Sequence, residues 1–134
     1  MILVKKISIL ISIILSLTLS LAAQSGLLLI DSIEIETNNA KLDTVSLNKI
    51  LKRLDERKIR GLTQTDSIAQ IILNRFKSIN YNDGVDRTIH LLATLNYKRG
   101  NFKHALEYHK ELLNNLVQKN TNPHLKANVY RFMT

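Results

Sequence analysis

The run from Ile89 to Leu113 restricts the fold more than any other part of the chain. Two amphipathic segments meet there at a short corner, Gly100-Asn101-Phe102. In the first segment Val85, Ile89, Leu92, Ala93 and Leu95 recur at helical spacing. Asp83 or Asp86 suits its start, where the helix dipole favours a carboxylate. Lys98 and Arg99 suit its last turn. Gly100 supplies the left-handed residue that ends a helix, and Asn101 is a good N-cap for the next one. The second segment carries Phe102, Ala105, Leu106, His109, Leu112, Leu113 and Leu116 on one stripe. Helices joined so tightly must run antiparallel, and Ala105, three residues past Phe102, is small enough to let them close up. Neither helix buries its apolar face alone, so the pair needs neighbours.

Fainter helices supply them. Residues 67–79 hold Ile68, Ile71, Ile72, Phe76 and Ile79 at helical spacing, with Asp66 or Thr65 as the expected cap. Ala69 stands 36 residues before Ala105. Upstream, Val45, Leu47, Ile50, Leu51 and Leu54 form another stripe, and Gly61 is expected to end that helix. Downstream, Thr121-Asn122-Pro123 reads as a cap followed by proline at the first helical position, opening a helix through Val129, Tyr130 and Phe132.

The clear pair resembles one unit of the tetratricopeptide repeat family. Ile89, Leu92-Ala93, Gly100, Phe102 and Ala105 stand at the family's repeat positions, and the 36-residue spacing is close to its period of about 34. The chain departs from the pattern at Asn96 (Tyr97 is next door), at His109, at Leu112, and at Val117 where a proline is usual. The resemblance implies an all-α fold: antiparallel helix-turn-helix repeats stacked as an α-solenoid, about two to two and a half repeats long. That is below the roughly three repeats needed for stability, so a longer protein, or a partner covering the last helix, is expected. Such stacks bind proteins or peptides and rarely catalyse. In the family the ligand lies in a concave groove lined by the first helix of each repeat. Carried over, this puts Arg87, His90, Thr94, Tyr97 and Lys98 in the groove. Their spacing of three, four, three and one shares one helical face, away from Ile89 and Leu92. Arg, Lys and Tyr there suit an acidic peptide through charge-assisted hydrogen bonds. The plain alternative is a solvated helical face.

The N-terminus reads as a targeting segment. Lys5 and Lys6 precede an apolar run, Ile7 to Leu21, and the small-residue exit Ala22-Ala23. Residues 1–23 are thus expected to be a signal peptide, 24–41 a polar linker and 42–134 the repeat domain. A retained signal anchor is the alternative, because Gly26 to Ile30 prolongs the hydrophobicity. Either places the domain outside the cytoplasm, in the periplasm or on the outer face of the inner membrane, touching membrane only through the leader. The chain has no Cys, which excludes disulfides and a lipid-modified cysteine. Removing the leader leaves about 111 residues, enough for one modest core.

Charge is uneven. Residues 24–86 hold nine basic and nine acidic side chains, whereas 87–134 hold eight basic and two acidic, Glu107 and Glu111. A basic half suits an acidic protein surface, anionic lipid or nucleic acid. Export and the lack of interleaved stacking aromatics argue against nucleic acid. His104 and His109 are five apart, a poor spacing for one ion, and no His-Glu-x-x-His pattern occurs, so no metal is expected. His109 falls on the apolar stripe and reads as a core residue. Glu107 and Glu111, flanked by Lys103 and Lys110, are expected to form surface ion pairs. No phosphate loop, nucleophile elbow or Ser/His/Asp cluster is present, so neither an enzyme nor a cofactor is expected. Three functional readings remain: an exported adaptor or scaffold, the N-terminal sensor part of a membrane signalling protein such as a histidine kinase, and a small basic membrane-surface protein held by an uncleaved leader. The second draws on the polar joint Asn80-Tyr81-Asn82-Asp83-Gly84, which resembles those of exported sensor regions.

Overall fold

A computed structural model describes residues 1–56, 61, 63–119 and 123–133, for Leu125, Phe132 and Met133 the backbone only. Six helices follow one another: α1 (Ile2–Asn39), α2 (Thr44–Leu54), α3 (Gln64–Ser78), α4 (Asn82–Lys98), α5 (Phe102–Lys119) and α6 (Pro123–Met133). No strand occurs among the described residues. The all-helical class expected from the periodicities is what forms. Each helix packs on its sequence neighbours, most extensively α4 on α5 and α3 on α4; α1 also meets α3, and α2 meets α4. Gln70 Nε2 donates to the Tyr108 hydroxyl at 2.6 Å, tying α5 to α3.

The α3–α4 and α4–α5 joints are built alike. Asn80 (φ 55°) and Gly100 (φ 79°) are the left-handed residues. After each, a backbone N–H reaches five residues back: Tyr81 to the Phe76 carbonyl at 3.0 Å and Asn101 to the Asn96 carbonyl at 2.9 Å. These paired bonds satisfy the orphan carbonyls of a helix end and turn the chain sharply. Gly100 was legible as such a residue. Asn80 does the same work because Asn tolerates the left-handed region better than most residues.

The helix starts differ from expectation. Asp43 caps α2, accepting from the Ser46 N–H at 2.8 Å and the Ser46 hydroxyl at 3.1 Å. Neither Thr65 nor Asp66 caps α3; the helix starts at Gln64, Thr65 is buried and Asp66 accepts from Arg99. Likewise Asp86 lies one turn inside α4 and is buried, leaving Asp83 in the first turn. Gly61 does not end α2, which stops at Leu54. Pro123 opens α6 as expected, whereas Thr121 and Asn122 lie outside the described residues.

The core runs from α1 to α6: Ile30 and Ile33; Leu47, Ile50 and Leu54; Ile68, Ile72 and Phe76; Ile89, Leu92 and Leu95; Leu112 and Leu116; and Val129. Ala69, Ala93 and Ala105 are buried where helices approach closely. Four stripe residues turn outward instead: Val45, Ile71, Phe102 and Leu106 are 78%, 37%, 62% and 43% exposed. A stripe names a helical face, but its margins stay wet unless another helix covers them.

The largest departure concerns residues 24–41. A linker is expected there, yet α1 continues without a break to Asn39 and buries Gly26, Ile30, Ile33 and Thr37 against α2 and α3. The misleading signal was the local polarity of Glu34, Glu36 and Thr37. Glu36 is in fact drawn into an ion-pair cluster with Lys49 (3.1 Å) and Arg53 of α2. The Lys49 hydrogen bond, with Arg53 beside it, holds the Glu36 carboxyl below its ordinary range. Thr37 satisfies its hydroxyl on the Ile33 carbonyl at 2.7 Å.

Candidate functional site: a basic groove between α2 and α4

Where α2 and α4 lie side by side, a groove of about 930 Å³ opens. Leu51 and Leu91, both nearly buried, form an apolar floor. The walls carry Lys49, Lys52, Arg87 and Lys98, against one acid, Asp55, together with Asn48, His90 and Thr94. Spacing explains the wall on α4: 87, 90, 91, 94 and 98 advance by three or four residues and stay on one face. On α2, residues 48, 51, 52 and 55 are likewise related by steps of three or four, with 49 at the edge of that face.

Of the five groove residues expected from the sequence, Arg87, His90, Thr94 and Lys98 line it together. Tyr97 does not. Its ring meets Phe102 edge-on, with centroids 5.5 Å apart, at the α4–α5 corner. One helical step of about 100° separates Tyr97 from Lys98, and the register of α4 against α2 decides which of them faces inward. The α2 half of the groove was missed. The sequence carries its signal in Asn48, Lys49, Lys52 and Asp55, the polar face opposite Leu47, Ile50 and Leu54.

The groove's cations are not equally available. Lys49 is held by Glu36. Arg87 pairs with Asp83 at 3.4 Å and donates to the Asn48 side-chain oxygen. No ion pair engages Lys52 or Lys98 among the described residues, which leaves two ammonium groups facing the cavity from opposite walls. Thr94 donates its hydroxyl to the His90 carbonyl at 2.9 Å, so it offers a ligand only acceptor capacity. The site can therefore seat apolar side chains on its floor and anionic groups at its rim.

The repeat positions Ile89, Leu92, Ala93 and Ala105 are buried, Gly100 turns the corner and Phe102 stays exposed. His109 is buried as expected, hydrogen-bonded to the Ala105 backbone, and burial with the nearby His90 pushes its pKa down. His90 and His109 meet across α4 and α5 with ring centroids 6.3 Å apart, a pairing invisible in sequence because the two lie on different helices. His104 lies on the exposed side of α5, turned away from His109. Glu111 pairs with Lys77 of α3 at 3.6 Å rather than with a lysine of its own helix. Both partners are about half exposed, so this bridge adds little stability.

One buried acid lies away from the groove. Asp86 is 4% exposed and accepts from the Asn115 side-chain amide at 3.1 Å. Burial raises its pKa, only partly offset by Asn115 and Lys119. Because the folded value exceeds the unfolded one, this contribution is present at low pH and is lost as pH rises through the folded value. Asp86→Asn keeps the acceptor and removes the desolvated charge. The melting temperature at pH 7 is expected to rise by about 4 °C, for a gain of about 1 kcal/mol. The difference should shrink as pH falls and the buried native carboxyl takes up its proton. A variant that melts lower than wild type at pH 7 would mean that the charge itself is needed.

Comparison of the chain with protein-family models, with curated proteins and with solved structures finds no match.

Proposed function

We propose that this chain is an exported helical-repeat interaction module that holds an acidic, partly apolar peptide or protein segment between α2 and α4, with no catalysis of its own. The observation that carries this reading is the groove itself: an apolar floor of Leu51 and Leu91 beneath Lys52 and Lys98, which no carboxylate engages among the described residues. A groove between alternate helices is where stacked tetratricopeptide-type repeats present their ligand face. The burial of Ala69, Ala93 and Ala105 and the two matching joints support that arrangement. Affinity would come from apolar side chains on the floor and orientation from the lysines, whose pairs with carboxylates strengthen as water is excluded.

The test titrates a fluorescent peptide of alternating leucine and glutamate against the detergent-solubilised full chain, with a leucine/lysine peptide as control. The acidic peptide should bind and the basic one should not. Lys52→Glu with Lys98→Glu is expected to weaken the acidic peptide at least about tenfold, since each charge-assisted contact is worth roughly 1 kcal/mol or more. High salt should weaken it as well. Equal binding by wild type and the double variant, with both folded by circular dichroism, would refute the reading.

A further inference from the structure

Helix α1 is two things at once. From Gly26 onward it belongs to the core, whereas its first part packs on nothing: Ile2 to Leu21 carries apolar side chains exposed on every side, and its most apolar window is wholly unburied. A helix apolar all round is suited to hydrocarbon rather than to one groove. No charge interrupts Ile7 to Ile30, which is 24 residues. That exceeds the 7–15 residues typical of a cleaved leader's apolar region and meets the roughly 20 that a span requires. Four of the polar side chains inside it are already satisfied. Ser16, Thr18, Ser20 and Ser25 donate to carbonyls three residues back at 2.8–2.9 Å, as hydroxyls must in a medium without water. From Ile7 to Ser25 the helix rises about 28 Å, close to the hydrocarbon thickness of about 30 Å. The next residue, Gly26, is the first one buried in the domain. No linker separates the span from the fold.

That continuity sets which end of the domain faces the membrane. Arg53, near the end of α2, bonds back to Ser32 and Glu36 of α1, so α2 descends toward the bilayer. Arg75, near the end of α3, reaches the Ala40 carbonyl at 3.4 Å, so α3 climbs away again. Arg99, just past α4, bonds Asp66 in the first turn of α3, which places the α4–α5 corner at the membrane end. That corner exposes Tyr97 and Phe102, stacked edge to face, beside the exposed Lys98 and Lys103. Amphipathic aromatics and lysines are the side chains that settle at a bilayer's headgroup level.

We infer that α1 is retained as a membrane anchor and that the α4–α5 corner, through Tyr97, Phe102 and Lys103, rests on the anionic headgroup surface of the same bilayer. The second copy of the chain, as a rival occupant of the corner, would need no lipid. The anchor and the corner are independent of what fills the groove; only the compartment is shared with the reading above.

The chain contains no Trp, so Phe102→Trp is a sole reporter. The full chain carrying it is reconstituted into phosphatidylcholine/phosphatidylglycerol vesicles containing brominated lipid. Intact mass should show the whole 15.3 kDa chain. Trp at 102 should be quenched at least about twofold more than Trp placed by Val45→Trp at the opposite end of α2. Adding Lys103→Glu should reduce quenching in anionic vesicles, shifting the docked-to-lifted ratio about fivefold, and change little in phosphatidylcholine alone. A mass short of residues 1–23 would overturn the anchor. Equal quenching at 102 and 45 would overturn the docked corner. So would a blue shift at 102 that rises with protein concentration in detergent, because it would assign the corner to a second copy. Acidic-peptide binding in detergent, measured on the same variant, reports separately on the groove.

Discussion

Phe76→Ala is expected to lower the midpoint of thermal unfolding by at least about 12 °C. Phe76 is the largest side chain with no exposure, lying where α3 meets α4. Its ring meets Tyr81 at a centroid distance of 5.5 Å and lies directly over the Gly84 backbone. The backbone around it is anchored too, because its carbonyl accepts the Tyr81 N–H that closes the α3–α4 joint. Truncation removes the transfer free energy of the ring and leaves a cavity that a joint held by backbone bonds cannot collapse. Such changes cost about 3–5 kcal/mol. A domain of this size is stable by only about 5–15 kcal/mol, and its modest core favours the lower part of that range. A loss of cooperative melting, or a midpoint lowered by at least about 12 °C in circular dichroism, is the outcome expected. Phe76→Leu keeps most of the volume and should fall much less. Equal midpoints for wild type and the alanine variant would show that this joint contributes little to the fold.

Gly84→Ala should destabilise as well, against the rule that alanine beats glycine inside a helix by about 0.5–1 kcal/mol. A Cβ at position 84 would stand 2.5 Å from Phe76 Cδ1, 2.6 Å from Phe76 Cε1 and 2.6 Å from Tyr81 Cδ1. The Phe76 ring is enclosed and cannot swing aside, so α4 must move away from α3. Overpacking of this kind costs about 1–3 kcal/mol, more than the helix propensity returns. The two predictions share a cause and should therefore couple. With Phe76→Leu the ring edge is gone, and adding Gly84→Ala should then cost at least about 1 kcal/mol less than it does in wild type, measured in a double-mutant cycle by urea denaturation. Additive effects would mean that the contact at Gly84 yields without resistance.

Gly84 also shows where reading the sequence stopped. In sequence it looks like part of a polar joint, Asn80 to Gly84. In the fold the Phe76 ring of α3 packs against its backbone, and only the position of that ring reveals it. Asp86 is a parallel case. As a carboxylate near a helix start it reads as a favourable dipole partner, yet the lean of α5 over α4 buries it beside Asn115. Linkage then reverses its expected effect on stability.

The groove divides in the same way. Its α4 wall was legible because residues on one helix obey a fixed angular rule: once Ile89 and Leu92 face the core, Arg87, His90, Thr94 and Lys98 must face elsewhere together. Its α2 wall was not, because nothing local says which polar face of α2 meets that of α4. Tyr97 fell on the wrong side of a margin about 100° wide.

Local rules on adjacent residues therefore carried the all-helical class, the Gly100 corner, the stripes of α3, α4 and α5, and Pro123 at the start of α6. Each follows from the 3.6-residue period or from the stereochemistry of one residue. Contacts between helices decided the rest: the continuation of α1 through residues expected to be a linker, the Glu36–Lys49–Arg53 cluster, the exposure of Val45 and Phe102, and the pairing of Lys52 with Lys98 across one cavity. These depend on relative helix position, which is set by how whole apolar faces mesh, and no window of the sequence contains both partners.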